Sequence, residues 1–507
     1  MLTLLLLSLE PARVELAGDW QIRVNDALIS IPPPAWVAVV AERYEPLPLF
    51  NAKAGGWVRG AQARGVKAQE TTSPYLIDPE SFVLRAGPSS SDKVFAPGAD
   101  YRLDPVWGTF GRLEGGAIEP TQAVYASYRH AQMRLDAVVE SAGKIQLRTG
   151  SPSPAAPQLP SFTAGERHLA SIYLPRRIDR LSSNNLFPVL ETAYPEQEIS
   201  PSPTLTRLIR RLATGGPIRI LAWGDSVTDG VYLPSPADRW QEQFVRRLSA
   251  RYPQAKIELI TEAWGGRNTG SYLAEPPGSP HNYAEKVLTP KPDLIISEFV
   301  NDLRLTPEEL DTRYSKILAD FQQIGAEWII LTPHYILPEW MNLTREKDID
   351  DDPRPFVAAK RRFAAAHGLG LADAAARYGR LWRQGIPHMS LMSNGINHPN
   401  PFGQRIFADA LMALFPQAAS KSQPEPSAPR PRLADNRKPS GPRAPAKAVH
   451  TPSPSAARFW HIAPRSIPAC DPAPRHRGVA ASRSIPRPAY PRRPSNPANP
   501  AIHASKG

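Results

Sequence analysis

From residue 12 to about 200, apolar and polar positions alternate in short runs broken by glycine and proline. Residues 19–31 (DWQIRVNDALISI), 81–85 and 124–129 (VYASYR) carry the period of two that predicts strands. The clearest unit is 133–148, MRLDAVVESAGKIQLR. Here two alternating runs flank Ser141-Ala142-Gly143, where Gly143 supplies the positive φ a hairpin turn requires. No long helical period precedes Thr204, so 12–200 reads as a β-rich domain.

Past Pro201-Ser202-Pro203 the pattern changes. Residues 218–223 (IRILAW) form a continuous apolar run, as expected of a strand buried on both faces. A helix over 238–251 follows, with Trp240, Phe244, Val245 and Leu248 on one stripe. Residues 256–261, 293–300 and 327–332 read as further strands. Between the last two, Leu310, Tyr314, Ile317, Leu318 and Phe321 recur at helical spacing. That helix opens with Thr306 and Glu309 at capping-box spacing and Pro307 in its first turn. Residues 356–367 and 401–414 are later helices. Strands alternating with helices predict a mostly parallel sheet wrapped on both faces, a three-layer α/β/α domain over 204–418.

Composition sharpens this division. The 507 residues carry a formal charge of +12, which by itself suggests an anionic partner. Residues 421–507 hold 16 Lys and Arg against three acids, and 19 of the 58 prolines, whereas the other 420 residues are close to neutral. The basicity therefore belongs to a Pro/Arg-rich tail, 419–507, whose few apolar residues cannot offset the entropy of ordering it. The tail predicts disorder and contact with anionic surfaces, and it contains no nucleic-acid-binding module. Cys470, also in the tail, is the one cysteine, which excludes a disulfide scaffold and Cys-ligated metal in the rest. No window has the apolar length of a membrane span. Residues 1–11 contain LTLLLLSL, read either as a signal remnant directing export or as an apolar N-terminal strand.

In a doubly wound sheet, ligands bind at the carboxyl ends of the strands, and four short motifs fall there. They are Gly224-Asp225-Ser226 after the first strand, Trp264-Gly265-Gly266-Arg267-Asn268 after the second, Phe299-Val300-Asn301-Asp302 after the third, and Asn397-His398-Pro399 near the end of the domain. Singly, each is an ordinary turn or cap. In this order they resemble the four blocks of the SGNH (GDSL-type) hydrolase superfamily, over roughly 218–415. The resemblance implies a flavodoxin-like hydrolase domain with Ser226 as nucleophile and His398 as its general base. It also implies an oxyanion hole made of the Ser226 and Gly266 N–H groups and the Asn301 side chain. A serine hydroxyl needs an imidazole to take its proton, and the tetrahedral intermediate needs fixed donors.

Two positions depart from the family pattern. Phe299 stands where the third block begins with glycine, and a bulky side chain there is expected to reshape the pocket wall. The family's Asp, three residues before the His, is replaced by Gly395; with Asn397 read as an insertion, Asn394 takes that place and is the candidate partner of the imidazole. An amide can orient the ring but cannot stabilise imidazolium by charge. Trp264, Arg267, Phe299 and His334 are candidate substrate-lining residues, with a structural histidine bonded to a loop carbonyl as the other reading of His334. The acidic run at Asp348, Asp350, Asp351 and Asp352 lacks calcium-loop spacing and reads as a solvated loop. The resemblance thus implies a serine esterase without metal or cofactor, acting on an acyl ester, foremost one on a carbohydrate. The alternatives are a lipase or thioesterase, or a non-catalytic glycan- or surface-binding protein with a degraded site.

Overall fold

The computed structural model describes residues 10–195 and 205–415. The apolar N-terminal run, the Pro201–Pro203 break and the basic tail lie outside these residues.

A five-stranded parallel sheet forms the second half. Its strands, in chain order, are Pro217–Gly224, Lys256–Ala263, Leu294–Glu298, Glu327–Leu331 and Gly370–Ala372. Numbered along the chain, their spatial order is 2-1-3-4-5, the flavodoxin-like arrangement. Every residue of Leu294–Glu298 and Glu327–Leu331 is buried, which requires cover on both faces. Helices Trp240–Arg251 and Pro401–Met412 pack on each other, as do Pro307–Ile324 and Pro355–Ala366. The Thr306/Glu309 capping box forms as the sequence predicts, with Pro307 at the first helical position. The strand order reverses beside Pro217–Gly224, so the crevice between its carboxyl end and that of Leu294–Glu298 is where a ligand is expected.

The first half is antiparallel. Strands Arg134–Ser141 and Lys144–Arg148 form the expected hairpin, with Ala142 and Gly143 both at positive φ. Residues 19–31 are not one strand but two, Gln21–Val24 and Ala27–Ser30. Asn25, at φ 52°, makes the turn between them. Among the described residues, helix Thr206–Thr214 is the first α-helix.

This half is docked on the hydrolase-like half. Leu135, Tyr173 and Phe187 belong to the same apolar cluster as the parallel sheet. The contacts gather on 380–398: Ser171 Oγ donates to the Gly385 carbonyl at 2.5 Å, the Leu190 N–H donates to the Arg383 carbonyl at 2.7 Å, and Arg380 pairs with Glu191. Thr71 Oγ1 donates to the carbonyl of Asn394. The segment carrying His398 is therefore held by β-rich residues far upstream.

Candidate active site

The first motif forms a tight turn from strand to helix. Gly224 ends its strand where an added Cβ would collide with Thr228 Oγ1 and the Glu298 carbonyl, so only glycine fits. Asp225, fully buried, accepts from the Val227 N–H at 3.1 Å and from the Asn301 N–H at 3.0 Å. One carboxylate thus caps the four-residue helix Ser226–Asp229 and ties the third motif to the first. The second motif joins through the Trp264 N–H, which donates to the Gly224 carbonyl at 3.1 Å. A Cβ placed on Gly265 would lie 3.7 Å from that of Ser226, and Gly266 sits at φ 71°. Asp302 secures the outer side by accepting from the Thr269 N–H, the Thr269 hydroxyl and the Tyr314 hydroxyl.

His398 arrives from the far end of the domain, and its Nε2 lies 3.1 Å from Ser226 Oγ. The ring stacks on Tyr232 with centroids 4.3 Å apart and planes 8° off parallel, while Gln404 Nε2 donates to the Tyr232 hydroxyl. Among the described residues, the Ser226 and Gly266 N–H groups and the Asn301 carboxamide have no hydrogen-bond acceptor. A hydroxyl, an imidazole and three uncommitted donors, all at the carboxyl edge of one sheet, form an arrangement suited to acyl transfer.

Several sequence expectations change. Asn394 does not reach the imidazole. Its carboxamide oxygen accepts from the N–H groups of Ile396, Asn397 and His398, which uses it up in holding its own turn. The residues at His398 Nδ1 are instead Glu70, with Oε1 at 3.1 Å, and Gln69, with Oε1 at 3.3 Å. No motif in the sequence separates Glu70 from the other acids of the chain. Phe299 does not form a pocket wall: it is fully buried, edge-on to Trp223 at 4.9 Å, because the strand before it faces the core on both sides. His334 has no exposed surface either, so it does not line a cleft and matches the other reading, a structural histidine bonded to a loop carbonyl. Its Nε2 lies 2.7 Å from the Asn397 carbonyl, and burial holds its ring well below the usual histidine value. It supports the turn next to His398. Trp264 is part-exposed, but its ring stacks on His281 at 4.6 Å with the exposed Arg267 guanidinium 5.0 Å from its centre. The acidic run is exposed at Asp348, Asp350 and Asp351, as a solvated loop should be, and is also ion-paired: Asp350 meets Arg383, Asp351 meets Arg361, and the buried Asp352 meets Arg354. Among the described residues no group of three His, Cys, Asp or Glu is placed to hold a metal, and no helix is long and apolar enough to cross a membrane.

A parallel sheet in 2-1-3-4-5 order, carrying serine and histidine at its carboxyl edge, defines the class: an SGNH-type α/β domain. Residues 222–406 match the sequence model of the GDSL-like lipase/acylhydrolase family. No curated protein matches the chain. Its fold is similar to that of a two-domain esterase active on acetylated mannans, with 18% identity and a TM-score of 0.35, over 45% of this chain and 57% of that one. It is also similar to an acetyl xylan esterase from Geobacillus stearothermophilus (18% identity, TM-score 0.32, 40% of this chain and 97% of that one). A third similar structure is an α/β hydrolase from the metagenome of Lake Arreo, Spain (21% identity, TM-score 0.32, 40% and 97%). The chain therefore spans little more than half the length of the first of these.

Proposed function

We propose that the chain is a serine esterase that removes acyl groups, acetyl foremost, from carbohydrate. The observation that carries this reading is the 3.1 Å approach of His398 Nε2 to Ser226 Oγ, beside uncommitted N–H donors. Ser226 Oγ attacks the ester carbonyl carbon while His398 takes its proton. The oxyanion is received by the N–H groups of Ser226 and Gly266 and by the Asn301 carboxamide, and losing one such donor typically costs about 10²–10³ in rate. Collapse expels the sugar alkoxide, which takes the proton from His398. Water, activated by the same imidazole, then releases the acid from Ser226.

Two features favour a polymer-borne acyl group over a long fatty chain. Gly265, Gly266 and Arg267 beside Ser226 are exposed, which suits a pendant group on a bulky alcohol. Trp57, Trp107 and the exposed Trp340 form an aromatic cluster with ring centres 5.1 and 5.5 Å apart. Gln62 Nε2, which donates to the carbonyls of both Trp57 and Glu70, links that cluster to the site. Aromatic faces of this kind suit sugar rings.

The test is turnover of p-nitrophenyl esters from acetate to palmitate and of an acetylated polysaccharide, by the wild type, Ser226→Ala and His398→Ala. Activity on acetyl substrates that falls at least about 10³-fold in both variants supports the proposal. Equal turnover in all three proteins overturns the serine mechanism, and a wild type inert on the whole panel favours a non-catalytic binding protein. Trp340→Ala should weaken action on the polysaccharide alone.

A further inference from the structure

The family's acid position is occupied here by Gly395, and the structure gives a reason. Gly395 lies at φ 66°, and a Cβ on it would come within 2.8 Å of Ser73 Oγ. Ser73 is buried and belongs to the 71–73 segment of the β-rich half, the same segment whose Thr71 bonds the Asn394 carbonyl. The docked segment thus crowds the place where the family carries its carboxylate, and the positive φ there disfavours any side chain.

The same segment brings a carboxylate of its own. Glu70 Oε1 lies 3.1 Å from His398 Nδ1 and accepts from Asn394 Nδ2 at 2.9 Å. We propose that Glu70, from the β-rich half, is the positioning acid of the Ser226–His398 pair, taking over the role that Asp has in the family. This rests on the esterase reading for its catalytic consequence, but not for the contact itself. Gln69 Oε1, in hydrogen-bond geometry at Nδ1, accepts from Nδ1–H and fixes the tautomer that leaves Nε2 free to take the serine proton, while the negative charge of Glu70 beside the same nitrogen stabilises the imidazolium formed in the transition state. The carboxyl responds in kind: burial alone would raise it, and the bond and charge of His398 with the Asn394 bond outweigh that and hold it below its usual value. The hydrolase half would therefore lack its acid unless the β-rich half were seated on it.

The titratable groups facing His398 are Glu70, Tyr232 stacked on the ring, and His334 beneath the neighbouring turn. Glu70 supplies the negative charge among them. Its side chain is 47% exposed, so its effect should be smaller than that of a fully buried triad carboxylate.

The experiment compares the full chain with Glu70→Gln, Glu70→Ala and Gln69→Ala. It reads kcat/KM and the ring-nitrogen resonances of His398 by NMR with labelled histidine, assigned by their loss in His398→Ala. Glu70→Ala and Glu70→Gln, which both remove the charge, are each expected to lose on the order of 10- to 100-fold in kcat/KM and to move the His398 Nδ1 resonance. Gln69→Ala, which removes the acceptor and keeps the charge, should lose less. Unchanged His398 ring-nitrogen resonances in both Glu70 variants, or a loss in kcat/KM confined to Gln69→Ala, overturns the assignment. The resonances need no turnover, so failure of the esterase reading and failure of the Glu70 assignment are told apart. Unaltered thermal melting separates loss of the contact from loss of the fold.

Discussion

In the β-rich half, each buried carboxylate has a guanidinium of its own. Asp136, with no exposed surface, takes bonds from Arg134 at 2.8 and 2.9 Å and a third from the Gly150 N–H. Asp78 meets Arg129 and Arg177, and Asp104 meets Arg59. Beneath the carboxyl edge of the parallel sheet the arrangement differs. Asp225, Glu298 and Asp302, all fully buried, act on one buried ammonium, Lys360, which donates to the Phe299 carbonyl at 3.0 Å. Arg313 also reaches Asp302, at 3.9 Å, so three acids face two cations and charge is left without a counterpart. Burial accordingly pushes the Asp225 carboxyl up to about 6 and the Glu298 carboxyl well above its usual value. Glu298 Oε1 has no hydrogen-bond partner among the described residues. Where acids only hold strands they are neutralised locally. At the edge that presents Ser226 they serve as acceptors that lock the motif loops together, and incomplete neutralisation is tolerated because a proton can replace the missing cation.

The largest test of this contrast is Asp136→Leu, which strands Arg134 in the core. It should cost about 3–5 kcal/mol, measured by urea unfolding. Lys360→Met should cost less, about 2 kcal/mol at neutral pH, because Asp225 and Glu298 can each answer the loss of the ammonium by taking up a proton. A Lys360→Met cost equal to that of Asp136→Leu would break the comparison. The pH dependence sharpens it. Carboxyls with raised folded-state values bind their protons more tightly folded than unfolded. Their stabilisation is full below about pH 4 and declines as pH rises, through about 6 for Asp225 and further up for Glu298. Glu298→Gln removes one such acid, so its urea midpoint should fall less than that of the wild type between pH 5 and 8. Parallel curves would show that Glu298 is not a strained acid. The smallest effect belongs to the exposed helical pair of Lys316 and Asp320: Lys316→Ala should change stability by no more than about 0.5 kcal/mol.

The sheet was readable because its signals are local. Apolar runs mark strands buried on both faces, and the helix Pro307–Ile324 carries its cap and its stripe within its own residues. Ser226, Gly266 and Asn301 follow strand ends, where the turn chemistry of Gly, Asp and Asn is visible in consecutive positions. The expectations that changed were those about what a side chain touches. Asn394 stands at the family's acid position but turns its oxygen onto three backbone N–H groups. Phe299 and His334 stand at strand ends yet face the core, a choice made by packing above and below the sheet and not by neighbours in sequence.

By itself, then, the sequence determined the layered α/β half, the β-rich character of the other half, and the serine, glycine, asparagine and histidine that meet at one sheet edge. The two halves follow from periodicity and turn chemistry, which act over a few residues, and the site residues from four short blocks that resemble those of the SGNH superfamily. Only the tertiary structure decided what stands behind His398. Glu70 reaches it from more than three hundred residues upstream, on a half-exposed loop with no periodic or turn signal, because the docking of the β-rich half both crowds the Gly395 position and delivers a carboxylate. A contact between two surfaces depends on how they fit together, and neither stretch of chain encodes that fit alone.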